Sequence, residues 1–231
     1  MIKLSNVSKI YQSGSTEIRA LDQVNLEIKK SEFAVVLGPS GSGKSTLLNL
    51  IGGMDVVSEG VIEIDGENIS IKSAAEMEKY RRDMIGFVFQ FYNLIPSLTV
   101  RENVDIVTSL TKGHLDVDEI IDSVGLGERK SLFPFNLSGG ELQRLSIARA
   151  VVKKPKILLC DEPTGALDTK TGIRILKLLK ETAKDHGITL IIVTHNSKIK
   201  EIGDTVIELK DGKIESITEN RSPIDIEQVE W

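Results

Sequence analysis

The sequence predicts an α/β fold built on a parallel sheet, and three observations carry the prediction. Phe33–Leu37, Ile157–Cys160 and Thr189–Val193 are continuous apolar runs rather than alternating ones. Strands that read this way are covered on both faces, as in parallel sheets. Each run is followed by a polar loop and then a helical pattern, the order of α/β units. With 231 residues the chain suffices for one α/β domain or two small lobes with a real core.

Taken in order, Ile2–Val7 and Ile18–Ile28 read as antiparallel strands, with Ser13-Gly14-Ser15 as a turn. Phe33–Leu37 leads through a glycine-rich loop into a helix whose Leu47, Leu48 and Ile51 share one face. Val61–Ile64 followed by Asp65-Gly66 reads as a strand and hairpin turn. Ile85–Phe89 reads as a strand, and Leu98–Val124 as helix with a break at Lys112-Gly113. After Leu137–Glu141, the residues Leu142, Leu145, Ala148 and Val152 fall on one helical stripe. Thr205–Leu209, Asp211-Gly212 and Lys213–Ile217 form a second hairpin pattern, and Glu219–Trp231 is an acidic, weakly patterned stretch expected to pack loosely.

Composition narrows the function. Hydrophobic residues make up 40 % and charged residues 27 %, ordinary for a globular protein. The net charge of −5 argues against general nucleic-acid binding. A single cysteine, Cys160, excludes an internal disulfide and suits a reducing compartment as a small apolar filler. Met1–Tyr11 has no apolar leader pattern, and Ile157–Cys160 and Leu190–Val193 are far too short to cross a bilayer. Any work at a membrane then requires another polypeptide to span it.

Gly38-Pro39-Ser40-Gly41-Ser42-Gly43-Lys44-Ser45-Thr46 matches G-x-x-x-x-G-K-[ST], after a predicted strand and before a predicted helix. Glycines let several backbone N–H groups converge on one anion, and the helix start adds partial positive charge. Lys44 is placed to reach the β and γ phosphates of a nucleotide, and the Ser45 hydroxyl to hold Mg²⁺. Asp161 and Glu162 end an apolar strand, where ligands collect in open α/β sheets. One acid would orient the metal and the other polarise an attacking water.

Ser138-Gly139-Gly140-Glu141 is a second glycine-rich helix start and a second place for an anion, by the same physics. One nucleotide does not need both on one chain, so a site shared between two chains is the economical solution. Leu137–Glu141 with Gln143-Arg144 resembles the signature motif of ATP-binding-cassette ATPases. The resemblance covers about the first 215 residues. It implies a P-loop NTPase cassette (residues 1–218) with a RecA-like parallel-sheet core, an antiparallel β-subdomain, a helical subdomain near 91–150, and a tail over 219–231.

The resemblance assigns roles by position. Tyr11 stands where an aromatic ring stacks on adenine, and Gln90 where a glutamine reaches Mg²⁺ and couples to the membrane subunit. Asp168 falls in the dimer-contact loop, and His195 at the histidine that contacts the γ-phosphate. The segment Ser138–Glu141 would close on the nucleotide held by a second copy. Two departures are Glu141, where many members carry Gln, and Gly165, where many carry Ser. Neither removes a phosphate contact, so the resemblance implies an active ATPase that uses ATP and Mg²⁺, pairs as a homodimer and binds no nucleic acid.

Phe89–Val104, Asp161–Asp168, Tyr11, Gly14 and Ala20-Leu21 are similar to the branch serving macrolide export, lipoprotein release and antimicrobial-peptide resistance. It implies a peripheral protein on the cytoplasmic face of the membrane. Phe91–Leu98 is rich in aromatic and apolar residues for a loop, which reads either as core packing or, the preferred reading, as a groove that receives a permease coupling helix. A cell-division-type signalling cassette, a substrate importer and a soluble cassette acting on ribosomes or DNA are the competing readings. The last usually carries two cassettes or long insertions, for which one cassette of this length leaves no room.

Overall fold

The computed structural model describes residues 1–14, 16–111 and 113–229. Ser15 of the predicted turn, Lys112 of the predicted helix break, and Glu230 and Trp231 of the predicted tail lie outside the described residues. In chain order come strands β1 (Ile2–Ser13), β2 (Thr16–Ile28) and β3 (Phe33–Leu37), helix α1 (Lys44–Ile51), strands β4 (Glu59–Ile64) and β5 (Glu67–Asn68), and helix α2 (Ala74–Met84). Next are β6 (Ile85–Val88), α3 (Val100–Asp105), α4 (Val117–Ser123), α5 (Gly139–Val151) and β7 (Ile157–Asp161). The chain closes with α6 (Thr169–His186), β8 (Thr189–Thr194), β9 (Thr205–Lys210) and β10 (Lys213–Glu219). Two compact units result, Met1–Arg81 with Ile191–Trp231, and Arg82–Leu190.

The first unit carries an antiparallel sheet in the order β2-β1-β4-β5. Its inward side chains, Ile2, Leu4, Val7, Leu21, Leu26, Ile28, Ile62 and Ile64, are buried. Beside it, β3 pairs in parallel with β9, Ala34 opposite Thr205 and Leu37 opposite Glu208, and β10 returns antiparallel to β9. All five residues of β3 are buried, as the continuous apolar run requires. In the second unit β6 and β7 pair in parallel, from Ile85 opposite Ile157 to Val88 opposite Cys160, and α3 to α6 complete it. Burial pushes the Cys160 thiol up, which keeps it protonated as an apolar filler.

Several elements differ from the sequence-based expectations. β1 runs on to Ser13 because irregularities between Leu4 and Ile10 interrupt the alternation that would have marked its length. The segment predicted as helix over Leu98–Val124 is two short helices: hydroxyls of Thr108 and Ser109 donate to the Asp105 and Ile106 carbonyls, a 3₁₀ turn follows, and α4 restarts on an Asp116 cap. The strand predicted to reach Phe89 ends at Val88, which leaves Gln90 in a turn. The tail is not loosely packed. Ile226 and Val229 are buried, Asn220 N–H donates to the Asp204 carbonyl at 2.7 Å, and Asp225 caps a final 3₁₀ turn. No helix among the described residues is long and apolar enough to cross a membrane.

Candidate functional site

The first unit contains the glycine-rich loop between β3 and α1. Gly41 and Gly43 have φ of 79° and 101°, in the left-handed region. At Gly43 a side chain would also collide with the Ala20 carbonyl, so glycine is required there twice over. Gly43 caps α1 with no side-chain hydrogen bond, and no acid stands in the first turn. The amides that begin α1 therefore meet no acidic side chain of their own turn.

Lys44 lies folded back over this loop, its Nζ donating to the carbonyls of Gly38 at 2.8 Å and Pro39 at 3.0 Å. Both partners are neutral oxygens, so an arriving anion would find the ammonium charge uncompensated by them. Ser42 is buried, and its Oγ has no hydrogen-bond partner, which marks a polar atom awaiting one inside the loop. Ser40 and Ser45 are exposed, and Thr46 is half-buried on the first turn of α1.

Tyr11 reaches the same helix. Its hydroxyl donates to Asp55 Oδ2, in the turn after that helix, at 2.8 Å. Lys9 Nζ sits 4.9 Å from the centre of the Tyr11 ring and donates to Asp55 Oδ1 at 2.6 Å and to the Val56 carbonyl at 2.8 Å. Burial pushes the Tyr11 hydroxyl above its ordinary value and the Asp55 carboxylate adds to this, so Tyr11 stays a donor. Burial works against the charge on Asp55, but the bonds from Lys9 and Tyr11 outweigh it and hold the carboxyl low. His195 follows β8 and is exposed, in a turn where Asn196 N–H donates to Thr194 Oγ1 at 3.1 Å.

The second unit holds the acids. Asp161 ends β7, and Glu162 follows at a φ of 47°, a conformation that residues with a side chain rarely adopt. A side chain added at Gly165 would lie 3.3 Å from Gln90 Nε2 and 3.5 Å from Glu162 Cβ, so Gln90, Glu162 and Gly165 are neighbours. Ser138 caps α5 through a capping box: Glu141 accepts from the Ser138 amide at 2.8 Å and from its hydroxyl at 2.7 Å. Those two donors hold the Glu141 carboxyl below its ordinary value, with Arg129 Nε adding at 3.3 Å.

Asp168 caps α6, accepting from Thr171 N–H at 3.0 Å, and the methyl of Thr171 leaves no room for a side chain at Gly140. The start of α5 and the Asp168 loop are thereby packed together. Sequence reading missed Lys9 and Asp55 beneath Tyr11, and also Arg149. Arg149 donates to the carbonyls of Asn93 at 2.7 Å and Tyr92 at 3.1 Å. Asn103, fully buried, holds the other end of the 91–99 loop through the Ile95, Leu98 and Thr99 carbonyls. For Asn103 and Arg149, a charged or amide residue on an otherwise buried helix face is a faint signal; Lys9 on β1 and Asp55 in the turn after α1 carry none.

Comparison with known proteins agrees with this layout. Residues 21–165 match the family model described as ABC transporter. An uncharacterised ABC transporter ATP-binding protein of Methanocaldococcus jannaschii, MJ0796, is 46 % identical over 93 % of this chain and 95 % of its own length. The macrolide export ATP-binding/permease protein MacB of Rhodopirellula baltica is 40 % identical over 97 % of this chain and 34 % of its own length. Among solved structures, the dimeric post-hydrolysis state of the MJ0796 cassette, bound to ADP and phosphate, superposes with a TM-score of 0.88 at 43 % identity, covering 96 % of this chain and 100 % of that one. The chain spans half the length of two further curated relatives, from Mycoplasma species.

Proposed function

The chain belongs to the ABC transporter family, and we propose that it is the ATPase cassette that drives a separate integral-membrane permease. One observation carries the reading most directly: the loop before α1, with its uncapped helix start, the folded-back Lys44 and the unpartnered Ser42 hydroxyl. This is a socket for a polyphosphate.

The backbone of Gly38–Thr46 would cradle the phosphates, Lys44 would leave its two carbonyls for the β and γ groups, and Tyr11 would stack on adenine. Mg²⁺ takes few protein oxygens and keeps phosphate oxygens and water as its other ligands. The donor types here suit it: a hydroxyl at Ser45, a carboxylate at Asp161 and an amide at Gln90, with no denser cluster of acids, His or Cys among the described residues. When bound, the ion would offset charge building on the phosphates. Glu162 would take a proton from the attacking water, and His195 would contact the γ-phosphate.

Two copies would pair head to tail, with Ser138, Gly139, Gly140 and Glu141 of one closing on the nucleotide of the other, and Asp168 at the contact. The dimeric state of the MJ0796 cassette supports this. Export or mechanical extrusion of a peptide, lipoprotein or drug-like substrate is favoured by the likeness to a macrolide exporter and by the Phe89–Val104 segment. The place of work would be the cytoplasmic face of the membrane, as a peripheral subunit.

The test is Glu162→Gln. Phosphate release should fall by about 10²–10⁴-fold, the usual contribution of a positioned base, with ATP affinity and ATP-dependent pairing retained. Wild-type turnover in that variant would remove Glu162 from the chemistry.

A further inference from the structure

We propose that Lys9 and Asp55 form a positioning pair that sets the Tyr11 ring for base stacking, so that they govern affinity for the base without touching the phosphates. The inference rests on the nucleotide reading above and deepens it.

Three contacts define the device. The Asp55 carboxylate uses both oxygens, Oδ1 accepting from Lys9 Nζ at 2.6 Å and Oδ2 from the Tyr11 hydroxyl at 2.8 Å. Lys9 Nζ also lies 4.9 Å from the ring centre, over one of its faces. Lys9 is 8 % exposed, whereas Tyr11 is 38 % exposed. One face of the ring is thus backed by a buried cation, the phenolic end is pinned, and the remaining face is left for a flat partner.

An exposed tyrosine is otherwise free to change rotamer within nanoseconds, and stacking a base on it would cost that freedom. Pinning both the hydroxyl and one face removes the cost in advance. Asp55 belongs to the turn after α1, and its amide donates to the Asn49 carbonyl of that helix at 3.3 Å, so the ring is indexed to the helix that begins at the phosphate loop. Base and phosphate subsites are in this way held in one rigid frame.

The experiment compares ATP with inorganic tripolyphosphate, which shares the phosphates and lacks the base. Steady-state turnover is measured for wild type, Asp55→Ala, Asp55→Asn, Lys9→Met and Tyr11→Ala, with tripolyphosphate as inhibitor and thermal melts as a fold control. Asp55→Ala should raise KM for ATP about 3–10-fold, the scale of one lost stacking or ordering contribution. Its kcat and the tripolyphosphate inhibition constant should stay at the wild-type values. Asp55→Asn keeps an acceptor for Tyr11 and should recover most of the loss, while Lys9→Met should fall between.

If KM and the inhibition constant rise together, or KM does not move in any folded Asp55 variant, the positioning role is wrong. Tyr11→Ala separates the two levels. Should it leave the preference for ATP over tripolyphosphate unchanged, the adenine-stacking reading itself fails. Should it abolish that preference while Asp55→Ala does not, only the positioning inference fails.

Discussion

Helices α1 and α5 both begin at glycine-rich turns, yet their first turns are built differently. α1 starts at Gly43 in the left-handed region, without a side-chain cap and without an acid nearby in its own turn. α5 starts at Ser138 in an extended conformation, with a reciprocal capping box to Glu141. The first turn of α1 carries no acid to compete with an anion. The amides of α5 already have a carboxylate among them, offset by Arg129. A helix start of the first kind can hold phosphate alone. One of the second kind is suited to adding to a grip that exists elsewhere, which is the division of labour proposed for two paired copies.

Three variants sharpen or break that comparison. The largest effect should come from Lys44→Ala, with ATP affinity in a titration falling by about 100-fold, or roughly 2.7 kcal/mol. Affinity within a few-fold of wild type would mean that α1 is not the primary phosphate site. Ser138→Ala should act differently, costing about 1 kcal/mol of stability through the lost cap and lowering the melting temperature by about 2–4 °C. ATP binding to a single chain should be unaffected, and ATP-driven pairing weakened. Equal loss of single-chain affinity in both variants would erase the distinction between the two helix starts.

The smallest effect belongs to Glu141→Gln. Because the native carboxyl is held below its ordinary value of 4.5, first by the Ser138 donors and then by Arg129, its contribution to stability is present above about pH 4.5. It is lost as the pH falls through the lower native value. The variant should therefore melt slightly lower than wild type at pH 7, show a shallower drop as the pH falls, and converge with wild type on the acid side.

The strands were the legible part of this fold. Phe33–Leu37 and Ile157–Cys160 could be placed to within a residue because continuous apolar runs bounded by polar turns have few other structural readings. Helix α2 could not, since only Met77 and Tyr80 of its eleven residues are buried and the rest give no stripe. The Ile226 and Val229 contacts of the tail were hidden for the reverse reason: two isolated apolar residues carry no period, and only the neighbouring Glu201 and Asp204 carbonyls reveal that the segment is tied down. In the site, the loop over Gly38–Thr46 could be read because its conformation dictates residue type locally. Lys9, Asp55 and Arg149 could not, because each acts on a segment supplied by a different stretch of chain, and Asn103 could not, because a lone Asn holding the loop just before its own helix carries no period.

The turn after β6 is fastened twice, by the Arg149 guanidinium on Tyr92 and Asn93 and by Asn103 on Ile95, Leu98 and Thr99, while Phe91, just ahead of both, is exposed. Mechanically this is a short lever with its free tip in solvent and its pivot on the last turn of α5. A load applied at Phe91 would then fall on Arg149 rather than on slack chain. From there a helix of 13 residues, an axis of about 20 Å, would carry it to the turn at Ser138.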